Sequence, residues 1–275
     1  MAEPKPILNP CLINTLEELI PIVDWLVFYG GIRPPHQPAV YMAVHGQLAG
    51  KNRGISFLTI VANPEDPNAH SHIIDIHTIG RAAFHVMCPR GQSLKDVLES
   101  SAIRKVLFDV RRASNALYAL YDIKLVGVLD LQLMENAGRR TREAREFLSS
   151  LPECVEELIP EKQQRDEWGL SRYKGERLWN PYKGGVYTAL NARPACEEIL
   201  AFCASEVAYL PALFSKWFSG VARLRRLIDG ESHKRAVECQ QADYRVDNVD
   251  DSQRPLSPWS VDQNNLLDRL TEVRH

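Results

Sequence analysis

The sequence predicts an α/β fold in which a mixed β-sheet, an antiparallel meander of three strands followed by two parallel strands, carries flanking helices and a helical C-terminal part. Three observations lead to this class. Residues 39–77 contain three β-branched segments joined by short loops. Residues 104–130 alternate strand and helix patterns, which is typical of parallel strands. From about residue 151 onward, apolar residues recur mainly at helical spacing.

The first elements are one helix and the three strands of the meander. Thr15 can cap the helix, with Glu18 three residues later as in a capping box, and apolar residues recur at helical spacing up to Gly30. Glycine, proline or asparagine residues separate the strands from one another. The predicted strands are residues 39–46, 53–62 and 72–77.

The two parallel strands follow, each with a helix after it. Asp130 stands at the end of the second of these strands, where it is expected to cap the next helix. The predicted elements are a helix at 93–101, a strand at 104–109, a helix at 112–121, a strand at 124–129 and a helix from Asp130.

Helices are predicted through most of the remaining chain, with a break or kink at Pro211. The polar segment 231–258, which contains Asp250 and Asp251, is predicted to be a flexible connector. We therefore expect one domain over residues 1–230, followed by a connector and a short helix over 231–275. The predicted helical segments are 151–170, 182–192, 194–229 and 261–273.

Net charge and composition limit the classes of function that the protein can have. The net charge is −2 over 275 residues, so any binding of nucleic acid must rely on a local basic patch. The six cysteines show no C-x-x-C spacing, which disfavours a zinc site or a disulfide framework. The N-terminus lacks a signal-peptide pattern, and no apolar run approaches about 18 residues. We expect an intracellular protein, cytoplasmic or nuclear, without a membrane segment.

Three segments, taken together and in order, resemble the DEDD family of 3′–5′ exonucleases. Residues 39–46 read AVYMAVHG, and residues 106–137 combine strand, polar turn, helix and strand. Residues 202–211 read FCASEVAYLP and follow Arg193-Pro194. The segments are similar to the three motifs of the DEDDy subgroup, and most of all to its degenerate branch of Egalitarian-like exonuclease domain proteins. The resemblance implies a ribonuclease H-like fold.

The resemblance also implies that the catalytic positions are degenerate. The family gathers carboxylates around two divalent cations, with a tyrosine that orients water. Here Ala43 and His45 stand where the first motif has two acids, and Ala113 stands at the second-motif acid. Phe202 replaces the tyrosine, while Glu206 retains a carboxylate at the third-motif position. A lone carboxylate does not hold two hard cations, so we expect no catalytic residues and no cofactor.

An alternative ligand set stays open. A shifted alignment nominates Asp109 as the second-motif ligand, so that His45, Asp109 and Glu206 would bind a single Mn²⁺ or Zn²⁺. An active exonuclease would instead require Mg²⁺ or Mn²⁺ at atypical ligands. The simpler interpretation of His45 is a hydrogen-bonded side chain at a strand end.

A basic cluster after the second motif is the candidate nucleic-acid site. The aromatic residues Trp168, Tyr173, Trp179 and Tyr182 are interleaved with basic residues downstream of the cluster, as in stacking surfaces for single strands. A solvated helix face is the alternative. The candidate residues are Arg139, Arg140, Arg142, Arg145, Lys174 and Arg177.

Three hypotheses follow for the function. The favoured one is an inactive exonuclease-like domain that binds RNA or single-stranded nucleic acid, or serves as an adaptor, with protein partners in an RNA-processing or silencing assembly. The second is an active metal-dependent 3′–5′ exonuclease. The third is a protein-interaction scaffold without nucleic acid. A homodimer through the helical region 194–229 also stays open.

Overall fold

A six-stranded mixed sheet forms the centre of the molecule. The computed structural model describes residues 9–34, 36–48, 50, 52–66, 69–241, 244 and 255–272. The sheet order is β1-β4-β3-β2-β5-β6. Strands β2, β3 and β4 form the predicted antiparallel meander; β5 then pairs in parallel with β2, and β6 pairs in parallel with β5. The strands are β1 (Pro10–Ile13), β2 (Val40–Gln47), β3 (Gly54–Ala62), β4 (Ser71–Asp75), β5 (Lys105–Leu107) and β6 (Val128–Asp130).

The fold class is confirmed, and the sheet gains one strand that the sequence analysis did not predict. Strand β1 pairs in parallel with β4, with Pro10 opposite Ser71. It is only four residues long and begins with a proline, which a sheet tolerates at the first residue of an edge strand. Such a segment is too short to show an alternating pattern, and its partner lies far along the chain.

Helices cover both faces of the sheet. Strand side chains alternate between the two faces, so Val40 and Met42 belong to one core cluster while Tyr41 belongs to another. In the residues described, the α-helices are α1 (Leu16–Ile32), α2 (Ile76–Ile79), α3 (Ala82–His85), α4 (Leu94–Glu99), α5 (Val110–Tyr121), α6 (Leu131–Ala137), α7 (Arg142–Arg145), α8 (Leu151–Leu158), α9 (Lys162–Trp179), α10 (Glu197–Ala208), α11 (Leu210–Trp217), α12 (Ala222–Glu238) and α13 (Val261–Glu272). Two short 3₁₀ helices span Pro181–Lys183 and Tyr187–Asn191.

The predicted helical region 194–229 is three helices. The first break falls at Tyr209, just before Pro211 occupies the first turn of α11. By length and mean hydropathy (1.3), Glu197–Trp217 resembles a membrane span, but 61% of its most apolar window is buried in the fold. Such extensive burial is typical of helices that belong to the core of a folded domain.

The connector predicted over 231–258 is wrong at its start. Helix α12 continues to Glu238, and its polar residues Ser232 and Arg235 are buried. Both contact Asp130: the Ser232 hydroxyl accepts a hydrogen bond from the Asp130 backbone, and Arg235 pairs with its carboxylate. These two polar residues of α12 therefore make internal contacts and are not exposed to solvent. Asp250, Asp251 and Val273 lie outside the described residues.

Candidate functional site

The carboxyl ends of β2 and β5 open onto a cleft of about 840 Å³. Ligand sites in α/β sheets commonly lie outside the carboxyl ends of the strands. The cleft brings together all five positions of the expected degenerate site. They are Ala43 and His45 on β2, Ala113 on α5, and Phe202 and Glu206 on α10.

His45 is a buried, hydrogen-bonded side chain. It is 6% exposed, its Nε2 lies 3.1 Å from the Thr59 hydroxyl oxygen, and its ring meets the edge of Phe202 at 5.6 Å between centroids. Burial lowers the pKa of His45 to about 4, although the negative charge of Glu206 acts in the opposite direction. His45 is therefore neutral at neutral pH. This geometry matches the simpler interpretation of the residue.

Glu206 is paired with an arginine that the sequence analysis did not single out. Arg172, on α9, donates from Nε to Glu206 at 2.8 Å and from Nη1 to Glu176 at 2.8 Å. Lys183 also donates to Glu176, at 2.8 Å. The Arg172 guanidinium lies 5.9 Å from the Phe202 ring centroid. Two cations and two carboxylates thus form one connected network at the wall of the cleft.

Helix packing holds this network in place. Helices α9 and α10 approach closely at Gly175, where a Cβ atom would lie 2.3 Å from the Glu198 carbonyl oxygen and 2.4 Å from the Phe202 Cβ. Only glycine fits this contact. The spacing of Arg172 and Glu176 was a local signal for a helical ion pair. Nothing in the sequence linked Arg172 to Glu206, because they belong to different helices.

Asp109 lies in the same cleft and is also paired. Its carboxylate accepts two hydrogen bonds from the Arg111 guanidinium, both at 2.7 Å. Burial alone would raise the pKa of Asp109, but Arg111 and the nearby Arg235 outweigh it and lower the pKa to about 2. Asp109 also has a left-handed backbone (φ 57°), and its N–H donates to Asp130 at 2.9 Å.

Asp130 caps helices rather than facing a ligand. It is fully buried, accepts hydrogen bonds from the backbone of Val110 and Gln132, and pairs with Arg235 at 2.6 Å. The predicted capping role is confirmed. The same carboxylate also accepts a hydrogen bond from the backbone N–H of Val110, the first residue of α5.

The residues present do not fit divalent cations. Within the described parts of the chain, no group of three His, Cys, Asp or Glu side chains is arranged to hold a metal ion. The alternative ligand set of His45, Asp109 and Glu206 is therefore not assembled. The two carboxylates of that set are each paired with an arginine, and its histidine is hydrogen-bonded to Thr59.

The predicted basic cluster separates into internal and exposed residues. Arg145 is fully buried and donates to Arg139, Asn264 and Asp268. Arg139 pairs with Glu135 through two hydrogen bonds of 2.7 and 2.6 Å. Arg145 therefore has no exposed surface to offer to nucleic acid, and the guanidinium of Arg139 is occupied by internal bonds.

The other members of the cluster are exposed. Arg142 is about half exposed and pairs with Asp268 at 2.8 Å, and Arg140 is exposed. The internal role of Arg145 could not be predicted, because its partners Asn264 and Asp268 on α13 lie more than a hundred residues away.

A rim of exposed aromatic and basic residues borders the cleft. Tyr182 is 84% exposed, and Tyr173 is 48% exposed. The Arg177 guanidinium and the Lys183 ammonium lie 5.7 and 6.0 Å from the Tyr173 ring centroid. Lys174, the neighbour of Tyr173 on α9, is also exposed. We call Tyr173, Lys174, Arg177, Tyr182 and Lys183 the α9 rim.

Of the four aromatic residues expected to stack on nucleic acid, Trp168 is internal and Trp179 is half-buried at the wall of the cleft. Trp168 is buried and donates from its indole nitrogen to the Ser205 carbonyl at 3.2 Å. Trp179 packs against Phe202, with ring centroids 5.4 Å apart. Only Tyr173 and Tyr182 of this set present an exposed face.

No protein-family model and no curated protein matches the sequence. Solved structures do match the fold. Trypanosoma brucei RNase D bound to GMP superposes with a TM-score of 0.68 at 16% identity, over 94% of this chain and 70% of that chain. The same enzyme bound to RNA U12 gives 0.66 at 17% identity, over 96% and 79% of the two chains.

A bacterial protein also has a similar fold, with a lower TM-score. Escherichia coli RNase D, an exoribonuclease involved in structured RNA processing, has a TM-score of 0.53 at 14% identity, over 86% of this chain and 56% of that chain. At such identities the similarity concerns the fold, and function depends on the site. The chain has an RNase D-like exonuclease fold, with a cleft in which arginines neutralise the carboxylates.

Proposed function

We propose that this chain is a catalytically inactive 3′–5′ exonuclease-like domain that binds single-stranded RNA. The observation that carries the proposal is the pairing of Glu206 with Arg172, in a cleft where Ala43 and Ala113 supply no acid. The resemblance to the DEDDy subgroup and its Egalitarian-like branch supports the same interpretation. The protein would act in the cytoplasm or nucleus as an RNA-binding adaptor among the partners of an RNA-processing or silencing assembly.

The loss of hydrolysis follows from the chemistry of the cleft. Metal-assisted hydrolysis needs cations that generate a hydroxide nucleophile and stabilise the leaving oxygen. A guanidinium such as that of Arg172 can offset phosphate charge, but it stays protonated and cannot activate a water molecule. His45 is a weak base because its pKa is about 4, and it is engaged with Thr59. These side chains do not supply the missing step.

Binding of RNA is supported by the α9 rim. Exposed tyrosines offer stacking faces to unpaired bases, and the lysines and arginine beside them attract phosphates. A solved structure with the same fold, Trypanosoma brucei RNase D, is in complex with RNA. The rim lies beside the cleft, so a strand could stack there without any metal ion.

The direct test uses labelled single-stranded RNA with Mg²⁺ or Mn²⁺, and follows both mobility shift and product length. We expect a shift without shortening. An Arg177→Gln variant should weaken binding and lower the slope of log affinity against log salt by about one. Lys162→Gln, at the far end of the same helix, is the matched control and should bind as wild type. Metal-dependent shortening of the RNA would overturn the proposal.

One observation favours the scaffold alternative. Helix α1 presents Trp25, Phe28 and Ile32 on one face, at helical spacing, with exposures of 37%, 47% and 62%. Exposed apolar residues in a cluster are typical of protein-interaction surfaces. If the RNA is neither bound nor shortened, this alternative, including a homodimer, replaces the RNA-binding module.

A further inference from the structure

A second cavity lies at the opposite end of the parallel strands from the cleft. Its volume is about 340 Å³. Arg104, which lines it, directly precedes β5, and its carbonyl accepts hydrogen bonds from Ala39 and Val40 at the start of β2. The cavity is thus at the amino ends of the parallel strands, whereas the cleft is at their carboxyl ends. Helix α11 connects the two, since Leu210 lines the cleft and Phe214 lines the cavity.

The floor of this cavity is apolar. Leu129 of β6, Met134 of α6 and Ile228 of α12 contribute side chains that are 6%, 5% and 4% exposed. Phe214 and Phe218 add two aromatic rings, 5.2 Å apart between centroids. An apolar floor with a few polar groups at the rim is typical of sites for small ligands, and the volume is at the lower end of their range.

The rim carries an excess of positive charge. Arg104 forms a two-point ion pair with Asp229, with distances of 3.3 and 2.5 Å. Arg225 has a different environment: its Nη1 donates to the Ser219 carbonyl at 2.7 Å, and its guanidinium lies 5.4 Å from the Phe218 ring centroid. Two guanidinium groups and one carboxylate leave one net positive charge. A guanidinium held over an aromatic ring is well placed to bind a carboxylate or phosphate.

The mouth of the cavity favours a flat ligand. His36 lies 6.3 Å from Phe218 between centroids, with the two ring planes inclined by 26°. Phe218 is 37% exposed, so part of its ring remains open to a ligand. Planar groups prefer such aromatic faces.

We propose that this cavity is a binding site for a small, flat, apolar molecule with a single anionic group, anchored by Arg225. The anionic group is a carboxylate or a phosphate monoester. The site is independent of the cleft and of the RNA-binding proposal.

The test is calorimetric titration of the full chain with indole-3-acetate, with its neutral amide and with phenyl phosphate. We expect indole-3-acetate to bind and the amide to bind at least about tenfold more weakly, because the amide lacks the charge that pairs with Arg225. Stronger binding of phenyl phosphate than of indole-3-acetate would identify the phosphate class, and the reverse order the carboxylate class. Equal binding of acid and amide, or no binding of either acid, would overturn the proposal.

Two further measurements locate the site. Arg225→Gln should weaken binding of the acid at least about tenfold, whereas Arg226→Gln, an exposed neighbour that does not line the cavity, should leave it unchanged. In the unmodified protein, the ring-proton resonances of His36, assigned by their loss in His36→Gln, should shift on titration. Unchanged His36 resonances at saturation, or equal affinity of the two arginine variants, would contradict the assignment.

Discussion

The Arg172 guanidinium donates from Nε to Glu206 at 2.8 Å, so the one carboxylate retained from the expected catalytic set is paired with a cation of the chain itself. Divalent ions bound by carboxylates in an active enzyme of this fold would supply the same positive charge. In this cleft, the arginine offsets the charge of both Glu206 and Glu176. Under the proposed function, this pairing would keep the cleft stable without metal ions.

The first prediction concerns the strength of this pair. Both side chains are about one-fifth exposed, so Arg172→Met and Glu206→Gln should each lower the free energy of unfolding by about 1–3 kcal/mol. A double-mutant cycle measured by urea denaturation should give a coupling energy between the two residues of about 1 kcal/mol. The exposed pair of Lys162 and Asp166 is the control, with an expected coupling below about 0.5 kcal/mol. Simple additivity at Arg172 and Glu206 would contradict the prediction.

The second prediction concerns pH and His45. Its pKa in the folded state is about 4, below the ordinary value of 6.5, because burial disfavours the charged ring. The unfolded state therefore binds more protons between these two pH values, and stability is lost as the pH falls through this window. We expect His45 to lower the free energy of unfolding by about 2–3 kcal/mol as the pH falls through this window.

The measurement compares wild type with His45→Gln by urea denaturation from pH 7.5 to pH 4. Other acidic groups titrate in both proteins, so only the difference between the two curves reports His45. The stability of wild type relative to the variant should fall as the pH is lowered. Parallel curves would show that His45 becomes protonated in the fold without cost.

The third prediction distinguishes the internal arginine from its exposed neighbour. Arg145→Gln should lower the free energy of unfolding by about 3 kcal/mol or more, because it removes a fully buried guanidinium that donates to Arg139 and Asn264 and is one of the two arginines paired with Asp268. Arg140→Gln should change it by less than about 0.5 kcal/mol. Thermal and urea denaturation check both values. Equal stability of the two variants would contradict the internal role of Arg145.

The fourth prediction concerns metal ions. Because the cleft carboxylates are paired with arginines, the melting temperature should be the same in EDTA and in millimolar Mn²⁺ or Mg²⁺. A variant with Ala43→Asp, His45→Glu, Ala113→Asp and Glu206→Asp should behave differently. It should be less stable in EDTA and regain stability with Mn²⁺, since ligands that bind only the folded state raise its stability. A rise of the wild-type melting temperature with either metal would contradict the proposed loss of metal binding.

The sequence predicted the meander and the converging cleft positions because both depend on local patterns. Strands β2 to β4 alternate or are continuously apolar, and Ala43, Ala113 and Glu206 stand in segments with a recognisable order. Contacts distant in sequence were not predictable in the same way. Arg172 meets Glu206 across two helices, and Arg145 meets Asp268 across 123 positions. A charged residue looks the same in sequence whether its partner is water or a buried carboxylate.

The buried position of Arg145 has a consequence for the order in which the protein can form. Its partners Asn264 and Asp268 belong to α13, and Leu267 of the same helix is fully buried in the core cluster around Leu133 and Trp259. During synthesis, the Arg145 charge is made long before these residues leave the ribosome. The hydrogen bonds and the ion pair that join Arg145 to α13 can therefore form only after residue 268 has emerged.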